Sequence, residues 1–315
     1  MGNELINNYD LFIVKILLNI LAGIGILFLL STIITIYATK LKFQSTLTTH
    51  IIRNQFIIDL LVLVIALPIV NTTGNVGVPD LPVLNAIICY FWNSQWIFWA
   101  MVVVSVVNTL FTSLDRLVAV RWPQEYKTRM SLKVKLYYLF LFPISLVIIV
   151  PEMFGVVYMN NTCIDRSNIP GDQSAIFMTS YAVYYCITAY CIPAIISICS
   201  YIVILKIMSK TITSGNQTNS SMKASTKKFT MSTFLMLIVF IIMYGIEAAT
   251  YILKFFNIIQ YAFNSPLQVL GVSLVSLPSV INPIIFIVIV KPLAVRWLSL
   301  WCRVKIDYEN SLKSG

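Results

Sequence analysis

Ile16–Ala38 reads ILLNILAGIGILFLLSTIITIYA and contains no charged side chain. A helix rising about 1.5 Å per residue needs about 20 mostly apolar residues to cross the hydrocarbon core of a bilayer. A soluble helix of that length would carry a polar face. The same character recurs in Leu60–Thr73, Leu81–Leu114, Leu136–Pro151, Gln173–Leu205, Phe229–Ile246 and Phe255–Val290. The second span must begin before Asp59, near Ile51, and the fourth must run past Glu152. The last stretch is too long for one span, and Asn264-Ser265-Pro266 marks where its helix starts. Seven spans result, at roughly 12–38, 51–71, 87–118, 134–155, 176–208, 225–254 and 266–290. The 315 residues are 58% hydrophobic and only 11% charged, with a mean hydropathy of +0.85. That is too little charge to cover a soluble surface. The chain thus divides into an N-terminal segment (1–11), a seven-span domain (12–290), an amphipathic stretch (291–302) and a tail (303–315).

Basic residues collect in cytoplasmic loops. Lys40, Lys42 and Arg53, then Arg121, Lys127, Arg129, Lys133 and Lys135, then Lys206, Lys210, Lys223, Lys227 and Lys228 all lie between alternate spans. The tail adds Lys291, Arg296, Arg303, Lys305 and Lys313. The opposite face has only Lys15, Arg166 and Lys254. This predicts an N-terminus outside and a C-terminus in the cytoplasm. The net charge of +10 is then a topology signal and calls for no nucleic-acid partner. Met1-Gly2 fails as a myristoylation signal because position 6 is Ile. Asn71 and Asn160 open outward-facing sequons, of which Asn71 lies too near the membrane and Asn160 is the expected glycosylation site. One histidine, His50, and no Gly-rich phosphate loop or CxxC pair argue against an enzyme.

Polar residues inside spans are costly and point to function. Asp59 falls mid-span, with Ser105, Ser279 and Asn282 as expected neighbours. Two states fit those oxygens: a bound sodium ion, or a protonated, hydrogen-bonded carboxyl. Asp115-Arg116 closes the inner end of the third span, and Arg121-Trp122-Pro123 turns the chain after it. Pro193 and Tyr201 lie about two turns apart in the fifth span, and Asn282-Pro283-Ile284-Ile285-Phe286 ends the seventh.

These motifs, in order and at matching depths, resemble the rhodopsin-like (class A) G protein-coupled receptors over nearly the whole chain. Asn54, Asp59 and Pro68 match the second span. Asp115-Arg116-Leu117 resembles the DRY motif, with Leu for Tyr. Asn282-Pro283-Ile284-Ile285-Phe286 resembles NPxxY, with Phe for Tyr. The resemblance implies an all-α membrane fold, a seven-transmembrane helix bundle with a short amphipathic eighth helix over 291–302. It implies a plasma-membrane receptor with no enzymatic activity and no cofactor beyond the sodium ion. Its partners would be an extracellular ligand, the lipid bilayer, a heterotrimeric G protein and arrestin. Asp115, Arg116, Tyr201, Tyr244, Asn282, Pro283 and Phe286 would form the G-protein switch. A disulfide would join Cys89 to Cys163, and Cys302, following the eighth helix, would be palmitoylated.

The departures point to a divergent, invertebrate-type branch. Gly23-Ile24-Gly25 stands where the family has Gly-Asn, and the fourth span lacks its Trp, with Phe140 and Phe142 in that area. The sixth span reads Phe240-Ile241-Ile242-Met243-Tyr244-Gly245-Ile246 in place of F-x-x-C-W-x-P, so Tyr244 replaces the tryptophan and no proline kinks the helix. Cys89 is two residues further from Arg116 than the family spacing, which predicts a bulge or a longer helix top. Phe98 stands where amine receptors carry Asp. The expected ligand pocket comprises Phe98, Trp99, Tyr184, Glu247 and Tyr251, with Glu247 either pairing a cationic ligand group or packing as a neutral carboxyl. A peptide is the leading ligand class and a small molecule the second. Two rival classes remain: a transporter or channel, and a receptor-like protein that does not signal. Against the first, no internal repeat or matched helix interruption is visible.

Overall fold

The computed structural model describes residues 2–41, 43, 45–72, 81–160, 162–166, 174–213, 220–255, 258–259 and 265–301. Its helices are α1 (Gly2–Ala38), α2 (Thr46–Asn71), α3 (Pro82–Ile88), α4 (Trp96–Arg121), α5 (Pro123–Lys127), α6 (Met130–Ile149), α7 (Ser174–Tyr185), α8 (Ile192–Thr213), α9 (Ser220–Phe255), α10 (Pro266–Ile289) and α11 (Lys291–Trp301). Among the described residues, seven segments are long and apolar enough to cross a membrane: Phe12–Ala38, Thr46–Asn71, Pro82–Arg121, Met130–Gly155, Ser180–Lys210, Thr226–Leu253 and Pro266–Ile289. Each matches an expected span.

The burial pattern is the inverse of a soluble protein's. Leu27, Val147 and Val288 are 70, 68 and 73% exposed, while Gln55, Asp59, Asn108 and Arg116 are fully buried. Lipid favours this arrangement, because apolar side chains cost nothing against acyl chains and polar ones must satisfy each other inside. The third span, α3 and α4, is central: α4 packs against α2, α6, α8 and α9. Helix α10 packs between α1, α2 and α9.

Local sequence explains the helix ends and irregularities. Ser45 caps α2, its Oγ accepting from the Thr48 amide at 3.0 Å. Ser265 caps α10 in the same way, with Pro266 at the first helical position, as the sequence predicts. Cys89–Asn93 forms a π turn between α3 and α4, and Gln95 takes a left-handed conformation with φ 60°. This turn is the bulge that the Cys89 spacing predicts. A second π turn, Cys186–Cys191, lies inside the fifth span between α7 and α8, just before Pro193. The proline ring cannot sit against the carbonyl of residue 189, and the wider turn relieves that clash.

Between the fourth and fifth spans, β1 (Val156–Met159) and β2 (Thr162–Asp165) form an antiparallel hairpin with Tyr158 opposite Cys163. Asn160 sits exposed at the turn with φ 50°. A disulfide joins Cys163 to Cys89, tying the hairpin to the top of the third span. At the other end of the bundle, α11 lies against α1. Trp297 stacks on Phe28 with centroids 5.7 Å apart, and the indoles of Trp297 and Trp301 donate to Ser31 and Thr35 at 3.0 and 3.1 Å. Cys302 lies outside the described residues. Cys199 of α8 is exposed on the apolar exterior.

Candidate functional site

The α11 end is closed around Arg116, the largest fully buried side chain among the described residues. Its guanidinium pairs with the neighbouring Asp115 carboxylate. Asp115 also accepts from Thr48 Oγ1 at 2.9 Å and from the Tyr126 hydroxyl at 2.5 Å. Tyr126 belongs to α5, and its hydroxyl reaches Ser45 at 2.6 Å, so one phenol joins the loop helix to the α2 cap. Burial, then the negative charge of Asp115, push the Tyr126 phenol up to about 12, which keeps it a proton donor. From α9, the Phe229 ring lies 4.5 Å from the Arg116 guanidinium carbon. Phe229 also meets Phe286 edge-on at 5.3 Å, and Phe286 meets Phe43 and Phe56 edge-on at 5.8 and 5.6 Å. The residue that replaces the motif's tyrosine is therefore the centre of an aromatic plug.

Tyr201 is buried, its hydroxyl near those of Thr233 and Ser113 but outside full hydrogen-bond geometry with either, while its ring tilts on Phe234 at 5.3 Å. A buried unpaired hydroxyl is costly, so Tyr201 is poised to gain a partner if the helices rearrange.

Midway along the bundle, Asp59 collects the three neighbours expected of it. Ser105 and Ser279 hydroxyls donate to Oδ1 at 3.1 Å each, and the Asn282 amide donates to Oδ2 at 3.1 Å. A fourth partner, Gln55, was not among those expected: its Nε2 donates to Asp59 Oδ1 at 2.9 Å and to Ser105 Oγ at 2.8 Å. Gln55 and Asn108 are both polar residues inside apolar spans, which was the signal available for them. As arranged, the Asp59 oxygens and Ser105 Oγ accept hydrogen bonds from within the cluster, while Ser279 Oγ donates and Asn282 Oδ1 has no partner.

The missing fourth-span tryptophan has a substitute. Tyr137, not Phe140 or Phe142, meets the second span, accepting from Asn54 Nδ2 at 2.9 Å. Phe140 and Phe142 are half exposed on the apolar exterior. The missing first-span amide has no substitute at Gly25, where a Cβ would come within 2.7 Å of Leu63 and 2.8 Å of Val280. Close helix approach takes the place of a polar contact there.

Toward the hairpin end, a cavity lies between the third, fifth, sixth and seventh spans, lined by Trp99, Tyr185, Cys186, Ala189, Tyr190, Tyr244, Glu247, Ala248, Tyr251 and Val275. Of the residues expected in a ligand pocket, Trp99, Glu247 and Tyr251 line this cavity. Phe98 and Tyr184 do not line it. Phe98 is fully buried and packs edge-on against Trp99 at 5.2 Å. Tyr184 turns toward the fourth span, its hydroxyl donating to the Val147 carbonyl at 3.1 Å. Tyr185, one residue on, faces inward instead and forms a triangle of rings with Trp99 and Tyr251 at 6.0 to 6.3 Å. A Cβ on Gly271 of α10 would overlap the Glu247 carboxylate, so this glycine makes room for the acid.

Tyr244 forms part of the cavity wall, its ring tilted on Phe240 at 4.9 Å. No break occurs here in α9, which is continuous from Ser220 to Phe255. A different device lies beside Ile246, the position where the family has proline. The Tyr190 hydroxyl donates to the Ile241 carbonyl at 3.1 Å and would lie 2.6 Å from a Cβ on Gly245. Gly245 thus admits a cross-link from the fifth span to the sixth.

A search of curated proteins finds no match to this chain. The family model of the 7 transmembrane receptor (rhodopsin family) matches residues 31–286, which includes the Asp59 cluster, the Asp115-Arg116 pair, the cavity-lining residues and the Asn282-Pro283 pair. A seven-span bundle with these motifs in place, matched over most of its length, belongs to the rhodopsin family of seven-transmembrane receptors.

Proposed function

We propose that this receptor binds an extracellular ligand in the cavity at the hairpin end and activates a heterotrimeric G protein at the α11 end. The excess of basic residues around α11 and the loops on its side supports a cytoplasmic place for that end in a plasma-membrane protein. The observation that carries the reading is the pairing of two features on α4: Trp99 lining a cavity, and Arg116 sealed about 25 Å further along the same helix. A ligand that binds better when Tyr244, Tyr190 and α9 shift would draw Phe229 off Arg116 and open a crevice for the G protein. It does so only through differential affinity for the two arrangements. Arrestin would use the same crevice.

A peptide is the favoured ligand and a small molecule the second. The cavity couples one carboxylate, Glu247, to the Trp99–Tyr185–Tyr251 triangle, a combination suited to the cationic side chain or terminal amine of a peptide. The test is a peptide and small-molecule screen in cells with a promiscuous G protein, repeated on Arg116→Ala. Agonist binding should survive that substitution and nucleotide exchange should be lost. Normal signalling by Arg116→Ala at equal surface level refutes the mechanism. Ion-coupled uptake into vesicles, without nucleotide exchange, would identify a transporter.

A further inference from the structure

Asp59 lies at one end of a chain of hydrogen bonds whose direction is fixed from the other end. The Tyr137 hydroxyl accepts from Asn54 Nδ2 and donates to Asn108 Oδ1 at 2.5 Å. Asn108 Nδ2 donates to the Ile51 backbone carbonyl at 3.1 Å and to Gln55 Oε1 at 2.7 Å. Gln55 Nε2 is left facing Asp59 Oδ1 and Ser105 Oγ. The Ile51 carbonyl can only accept, so Asn108 cannot turn over without setting two oxygens against each other. Gln55 cannot turn over without setting its amide hydrogens against those of Asn108. Two N–H bonds of Gln55 therefore point permanently at the two oxygens that a cation on this face of Asp59 would have to share.

We propose that the Gln55 side-chain amide occupies the place of a cation between Asp59 and Ser105, so that this receptor takes up no sodium there. A hard cation needs oxygen lone pairs directed at it. Here one carboxylate oxygen already accepts three hydrogen bonds and Ser105 Oγ accepts a fourth from the same amide. The amide also ties the second span to the third, while Asp59 itself reaches Ser279 and Asn282 of the seventh. The amide does so at every salt concentration.

The experiment needs no ligand. The melting temperature of purified full-length receptor in lipid nanodiscs is compared in equal concentrations of sodium and potassium chloride. Wild type should melt within about 1 °C in the two salts, too little for a specific ion to be bound. Gln55→Leu removes the amide, leaves Asn108 its Ile51 carbonyl, and frees both oxygens. That variant should melt about 2–4 °C higher in sodium than in potassium, and Gln55→Leu combined with Asp59→Asn should lose the difference. If Gln55→Leu does not fold, Gln55→Ala is measured in its place, and if neither folds the wild-type comparison decides alone. Sodium-specific stabilisation of wild type that Asp59→Asn abolishes would place an ion beside Asp59 Oδ2 and the unpartnered Asn282 Oδ1, and would overturn the proposal. So would folded Gln55→Leu or Gln55→Ala with no sodium response, because Gln55 would not then be what excludes the ion.

Discussion

Replacing Phe229 by leucine should raise the receptor's ligand-independent activity. The residues just before Phe229 in α9 are Lys227 and Lys228, which offer Arg116 no opposite charge. The contact that Phe229 itself makes with Arg116 is that of a ring on a cation. Phe229 is 4% exposed and its ring centroid lies 4.5 Å from the guanidinium carbon, so the contact is desolvated and worth about 2 kcal/mol. If the ring faces Arg116 only in the arrangement described, its loss shifts the balance of closed and open states about 30-fold. An active fraction of about 1% would rise to about 20–25%. Leucine keeps an apolar side chain against Phe286 and Phe43, which limits the packing loss that alanine would bring. Basal binding of a non-hydrolysable GTP analogue is measured in membranes at matched surface expression, with Asp115→Asn as the positive control. Phe229→Tyr, which keeps the ring, should behave as wild type. If Phe229→Leu is as quiet as wild type while Asp115→Asn is active, the ion pair alone holds Arg116 and the ring contributes nothing to closure.

Three further outcomes follow from the geometry. Cys89→Ser and Cys163→Ser should each reduce surface expression, in line with the about 2–5 kcal/mol that a lost disulfide costs small domains, and the double variant should be no worse than either single one; additive losses would mean that the two cysteines act separately. Tyr201→Phe deletes a buried hydroxyl that is outside full hydrogen-bond geometry in this arrangement, so the inactive receptor should melt no lower, by up to about 2–4 °C higher, while maximal nucleotide exchange falls. A lower melting temperature would show that the hydroxyl is already satisfied. Gly271→Ala should displace the Glu247 carboxylate and weaken a cationic agonist about tenfold or more without loss of surface expression, whereas unchanged affinity in a binding assay would remove Glu247 from the pocket.

Span number, span positions and the motif residues were legible in the sequence because they depend on short-range properties. An uncharged run such as Ile16–Ala38 has few stable settings other than lipid, whatever its neighbours do. Ser265-Pro266 starts a helix through its own backbone chemistry, and the surplus residues before Arg116 had to be absorbed in a bulge. Which side chains meet is a different kind of fact. It depends on how each helix is rotated about its axis, and a rotation of about 100° exchanges Tyr184 for Tyr185 as the residue that faces the cavity. Gln55 and Asn108 were visible as polar residues in apolar spans. Their role appeared only when α2, α4 and α6 brought Ile51, Asn54 and Tyr137 into one hydrogen-bonded chain with them. Phe229 gave no signal at all, since one phenylalanine among 18 is unremarkable until a buried guanidinium lies beneath it. Lipid selects helices by composition alone, but inside the bundle each polar atom must find a partner, and the tertiary packing decides which partner that is.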